Sequence, residues 1–170
     1  SAIGFTIYPG SDDALDMISN IQEMACEAKD AGLAVVIWSY PRGGDISKEG
    51  ETAIDIVAYA AHIAALIGAH IIKVKPPTKH IELSEAKKVY TSENIPIETL
   101  TDRIRHIKQS CFQGKRIVVF SGGAAKDKNG LINEIKELYK GGANGSIIGR
   151  NSFQRPLNEA MDLLNEVTDI

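Results

Sequence analysis

Five short apolar runs recur along the chain, each followed by a longer segment whose apolar residues repeat at helical spacing. The runs cover residues 3–8, 33–38, 69–74, 116–120 and 145–148. They are rich in Val, Ile and aromatic residues and are bounded by Gly, Pro or Ser, which predicts strands. Their apolar character is continuous rather than alternating, as expected of strands covered on both faces. The spacing predicts helices over 13–30, 51–66, 99–112, 129–139 and 153–167. In the second of these, Ile54, Val57, Ala58, Ala61 and Ala65 trace one face. Ser11-Asp12, Thr99 and Thr101 are candidate caps. Gly32, Gly68, Gly114 and Gly141-Gly142 are candidate stops. Strands separated by helices of this size imply βαβ units, a parallel sheet and right-handed crossovers. Residues 76–96 break the rhythm and predict a long loop with a short helix around 83–89; such loops in compact domains usually serve function.

Composition narrows the class of molecule. The chain of 170 residues fits one domain, and its 44% hydrophobic content is enough for a core. A net charge of −3 carries no basic field for nucleic acid. The longest apolar runs are too short to cross a bilayer. No charged segment followed by an apolar one opens the sequence, which predicts no secretory signal. Cys26 and Cys111 stand far apart, as expected of reduced thiols in a soluble cytoplasmic protein.

In parallel α/β proteins the chemistry sits at the carboxyl ends of the strands, and here those ends are polar and glycine-rich. Lys73 and Lys75, two residues apart on a strand, point to the same face. Two ammonium groups held close in a partly desolvated site depress each other's pKa, and a lysine so tuned can form an imine with a carbonyl. The same spacing also suits lysines that reach solvent, or one that pairs with a carboxylate. Ser121-Gly122-Gly123 forms a small turn that can cradle a phosphate, or merely end a strand. Gly149-Arg150-Asn151 repeats that logic and adds a guanidinium. Trp38 and Tyr40 share a face, where the phenol could move protons or both rings could be core. His62, His70, His80 and His106 show no ligand spacing, and no Walker, dinucleotide or metal motif appears.

Four motifs taken together are similar to one family. Ile-Trp-Ser-Tyr-Pro-Arg-Gly at 37–43, Ile-Ile-Lys-Val-Lys-Pro-Pro at 71–77, Phe-Ser-Gly-Gly at 120–123 and Ile-Ile-Gly-Arg-Asn at 147–151 resemble the archaeal-type class I fructose-bisphosphate aldolases. That family lies within the wider superfamily of deoxyribose-phosphate aldolase, and the resemblance covers essentially the whole chain. It implies an α/β (β/α)8 barrel, with the five runs as strands 4 to 8. It further implies Lys73 as the Schiff-base lysine, Lys75 as its neighbour, Tyr40 as the proton-transfer group and Trp38 as part of the pocket wall. Ser121, Gly122, Gly123, Gly149 and Arg150 would hold a phosphate. The implied reaction is cleavage of fructose 1,6-bisphosphate without metal or cofactor, since the imine is the electron sink. Another Schiff-base enzyme of the superfamily, a transaldolase-like synthase or a thiolase, would share Lys73 and the phosphate loops. A non-catalytic half-barrel that binds phosphate is the alternative of a different class. A (β/α)8 barrel typically needs about 250 residues, so strands 1 to 3 and the family's strand-1 aspartate are absent from this chain. The expectation is a C-terminal half that needs the N-terminal half, turns over weakly alone and tends to form a homo-oligomer.

Overall fold

Parallel pairing in chain order organises the molecule. The computed structural model describes residues 1–122 and 126–170. Strands β1 (Ala2–Ile7), β2 (Ala34–Ser39), β3 (Ile71–Val74), β4 (Ile117–Ser121) and β5 (Gly145–Ile147) form one sheet, each beside the next. All four pairings are parallel. Strand order never reverses, so right-handed crossovers send every connecting helix to the same face. This is the winding of a (β/α)8 barrel, of which the described residues hold five strands.

The connections are α1 (Ala14–Asp30), α2 (Ile54–Leu66), α3 (Ser84–Ser92), α4 (Leu100–Ser110) and α5 (Lys128–Lys140), followed by α6 (Arg150–Phe153) and α7 (Leu157–Thr168). Thr99 caps α4, its side chain accepting from the Asp102 amide. Gly32, Gly68, Gly114 and Gly142 adopt φ of 71°, 107°, 80° and 85° just beyond helix ends, the left-handed conformation that glycine tolerates. Two expected helices differ in detail. The segment expected to start at residue 51 opens with a 3₁₀ turn, Gly50–Thr52, and reaches α2 only after Ala53, which is extended at ψ 142°. The last expected helix is broken into α6 and α7, because Pro156 lacks an N–H and can stand only at a helix start.

Burial also departs from the expectation of strands covered on both faces. Val35, Ile37, Ile72, Val74, Val118 and Phe120 are fully buried against the helices. Their alternating neighbours on the inner face are only partly covered; Ile117 and Ile147 are 46% and 43% exposed. The cause is topological: among the described residues β1 and β5 are edges, so no opposite wall meets the inner face.

The main core lies between the sheet and α1, α2 and α4. Ala58, Ala61, Ala64 and Ala65 let α2 approach the strands closely. A second cluster joins Leu131, Ile132 and Ile135 of α5 to Leu163 of α7. The long loop after β3 is anchored rather than loose. The Thr78 amide donates to Thr52 O at 2.7 Å, and His80 O accepts from the Ile54 amide at 2.9 Å. The buried Asp55 carboxylate accepts from the Glu82 and Leu83 amides at 3.1 and 3.0 Å. No helix among the described residues is long and apolar enough to cross a membrane.

Both cysteines are free, Cys26 exposed and Cys111 inside the main core. Burial pushes the Cys111 thiol up to about 11. An alkylating reagent at about pH 8 is expected to modify Cys26 rapidly and Cys111 only after unfolding, a difference that peptide mass mapping reads directly. Rapid modification of both thiols in the folded chain would contradict this packing.

Candidate active site

The carboxyl ends of the strands surround a cavity of about 620 Å³, within the range typical of small-molecule sites. Its floor follows from the strand register. Thr6, Trp38, Lys73, Val119 and Gly145 form one row across the sheet. Because strand side chains alternate, this row and the residues two positions further along face inward together. Lys73, Lys75, Tyr40 and Ser121 therefore reach the cavity from three strands and their ends.

Lys73 Nζ stands 6.0 Å from the centroid of the Tyr40 ring. Arg42 lies over the Tyr8 and Tyr40 rings at 5.6 and 5.9 Å, closing the side nearest β1. Backbone bonds fix that corner: the Tyr40 amide donates to Ile7 O and the Arg42 amide to Pro9 O, at 3.0 and 3.1 Å. Lys75 pairs with Glu51 at 3.1 Å, and Glu51 also binds Lys48 at 2.8 Å. The bonds from Lys48, and next from Lys75, hold the Glu51 carboxyl below its usual range. Of the uses open to the two lysines in the sequence, Lys75 thus takes the carboxylate-paired one.

Ser121, Gly122, Gly149 and Arg150 line the opposite wall. Gly123, expected beside them, lies outside the described residues. The two turns are joined by Asn151, which is 3% exposed. Its Nδ2 donates to Gly122 O at 2.9 Å, and its Oδ1 accepts from the Lys126 amide at 2.8 Å. Trp38 does not line the cavity. A Cβ on Gly4 would stand 2.4 Å from the indole, so the ring packs across β1 and requires glycine there.

The lining was only partly legible in the sequence. Arg42 and Asn151 sit inside the recognised motifs without a role being read for them. Thr52, Lys126, Glu134 and Phe153 also line the cavity, and no local spacing pointed to them. Among the described lining residues, Arg42, Lys73, Lys75, Lys126 and Arg150 are cationic, whereas Glu134 alone is acidic and pairs with Lys126. Such a wall favours an anionic ligand. No group of three or more His, Cys, Asp or Glu among the described residues could hold a metal ion.

The DeoC/LacD family aldolase model matches residues 1–155. The chain belongs to that family. A relative from Chlamydia muridarum, named a probable fructose-bisphosphate aldolase class 1, is 33% identical over 183 aligned positions. These take in 99% of this chain and 51% of the relative. The fructose-bisphosphate aldolase class 1 of Thermoproteus tenax is 35% identical, across 91% of this chain and 50% of its own. An archaeal fructose-1,6-bisphosphate aldolase, solved with its catalytic lysine bound to the carbinolamine intermediate of the substrate, superposes with a TM-score of 0.76. It is 31% identical, over 98% of this chain and 58% of that one. This DeoC/LacD chain therefore spans about half the length of the curated relatives it matches.

Asn151→Ala would remove both of these bonds, taking a donor from the buried Gly122 carbonyl and an acceptor from the Lys126 amide. The expected loss of stability is about 2 kcal/mol, read as a lower urea midpoint with an unchanged slope. A midpoint equal to that of the parent would show that other contacts hold the two turns together.

Proposed function

We propose that this chain carries the Schiff-base site of a class I aldolase that reversibly cleaves fructose 1,6-bisphosphate. The observation that carries the reading is Lys73, an amine in the floor of a cationic cavity, with the Tyr40 phenol beside it and two glycine turns opposite. The names of the relatives above support the same choice of substrate.

In this reading the Lys73 amine attacks the C2 carbonyl to give a carbinolamine, which loses water to form the imine. The protonated imine accepts the electron pair of the C3–C4 bond as it breaks, releasing glyceraldehyde 3-phosphate. The resulting enamine is protonated, and water then frees dihydroxyacetone phosphate. The imine does the work that a metal does in other aldolases, so no cofactor is invoked. Tyr40 moves the protons at the carbinolamine and at the breaking bond. Ser121, Gly122, Gly149 and Arg150, with Gly123 from the sequence motif, hold the phosphate next to C1. Arg42, across the cavity from them, is suited to the second phosphate. A related Schiff-base enzyme would use the same lysine and loops, and a panel of phosphorylated ketoses and aldehydes separates the two.

The chain is further proposed to be the C-terminal part of one barrel domain, with strands 1 to 3 supplied by the N-terminal part. The unpaired edges β1 and β5 and the half-exposed inner face support this arrangement. They also favour association between copies.

Borohydride reduction in the presence of dihydroxyacetone phosphate, followed by peptide mapping, is expected to give an adduct at Lys73 that Lys73→Ala abolishes. The same adduct in the Lys73→Ala chain, or none even with the N-terminal part supplied, would overturn the assignment. Tyr40→Phe is expected to lower turnover by about 100-fold or more while the Lys73 adduct still traps. Steady-state rates beside the trapping yield check this separation.

A further inference from the structure

Two amines open into one cavity, although imine chemistry uses a single one. Lys73 and Lys75 both line it, but their neighbours differ. Lys73 Nζ stands off the Tyr40 ring at 6.0 Å. Lys75 Nζ donates to Glu51 Oε2 at 3.1 Å, and Glu51 Oε1 accepts from Lys48 Nζ at 2.8 Å. The carboxylate that divides itself this way is well fixed: the Glu51 side chain is 13% exposed. Its backbone amide donates to Ser47 O at 3.1 Å. The adjoining Thr52 O accepts from the Thr78 amide at 2.7 Å, just beyond Lys75 in the chain. The turn bearing Glu51 is thereby tied to the segment leaving β3, so carboxylate and ammonium are held at constant reach.

An ammonium cannot attack a carbonyl until it has lost its proton, and a carboxylate partner opposes that loss. The other charged or titratable groups around the two amines are Tyr40 and Arg42 after β2, Lys126 of the β4–α5 connection, Glu134 of α5, and Arg150 at the start of α6. Glu134 is already paired with Lys126. Among the described residues, Glu51 is the carboxylate that pairs with Lys75.

We propose that Glu51 is a positioning residue that selects Lys73 as the imine-forming amine by holding Lys75 in an ion pair. Lys75 then remains a fixed cation in the cavity wall, facing an oxygen of the bound sugar phosphate. The role assigned to Lys73 rests on the aldolase reading above, whereas the difference between the two amines can be measured without any sugar. Sequence spacing treats the two lysines as equivalent; the carboxylate from another turn makes them unequal.

The test is trace acetylation of the folded chain with acetic anhydride at neutral pH, followed by fragment-resolved mass spectrometry. The neutral amine attacks the anhydride, an amide forms, acetate leaves and the amine proton passes to solvent. In the parent chain Lys73 is expected to acetylate about tenfold faster than Lys75. In Glu51→Gln, Lys75 is expected to rise to within about twofold of Lys73, with exposed Lys136 unchanged as reference. Glu51→Asp, whose carboxylate is one methylene shorter, should fall between the two and serves if the Gln variant does not fold. An unchanged ratio in the variants, or equal loss of labelling at both lysines, overturns the proposal. If the ratio shifts while dihydroxyacetone phosphate fails to trap at Lys73, the aldolase reading falls and the selection by Glu51 stands. A trap at Lys73 with an unshifted ratio has the opposite meaning.

Discussion

The register of the parallel strands is the constraint on which the site depends. Thr6, Trp38, Lys73, Val119 and Gly145 are neighbours across all five strands. Side chains alternate along each strand, so this one row decides which residues look inward. A slip of one residue in β3 would turn Lys73 and Lys75 toward the helices and bring Ile72 and Val74 to the cavity. That exchange would bury two charges in the apolar layer around α2, a cost far above any gain elsewhere. The hydrophobic pattern and the position of the amine are therefore two expressions of the same register.

Around that floor the walls divide the work. Strands β2 and β3, hydrogen-bonded on both sides, place Lys73 within β3 and Tyr40 and Lys75 one residue past their ends. Turns carry most of the remaining cations, which need directional placement at the cavity mouth. The turns are not left to themselves. Asn151 joins the turn after β4 to the turn after β5, and Asp55 with Glu82 fastens the long loop beside α2. Precision in the site comes from buried polar groups bonded on two sides, which fix geometry because leaving either bond unmade is costly. The indole of Trp38 shows the same economy of space in the apolar part: it crosses β1 where Gly4 has no Cβ.

The half-covered inner face and the two unpaired edges belong with the length of the match. Relatives in the DeoC/LacD family carry about twice the chain aligned here. The barrel completion proposed above would bury apolar inner-face residues such as Ile117 and Ile147 from the far side. The helix-covered face needs no such partner, and there the three central strands are buried.

By itself the sequence determined the strand and helix alternation, the parallel winding and the strand-end positions of Lys73, Tyr40, Ser121 and Arg150. These follow from local causes: β-branched apolar runs, cap residues, glycines beyond helix ends, and motifs only a few residues long. Pro156 was equally visible, and its missing N–H accounts for the break between α6 and α7. Tertiary structure alone decided that Lys75 meets Glu51, that Asn151 joins two turns, that Trp38 leaves the cavity wall for Gly4, and that Lys126 and Glu134 join the lining. In each case the partners lie on different turns or strands, brought together by parallel pairing and close packing. Periodicity along one segment carries no information about which distant segment will be its neighbour, and so the chemistry of single residues was legible while their pairing was not.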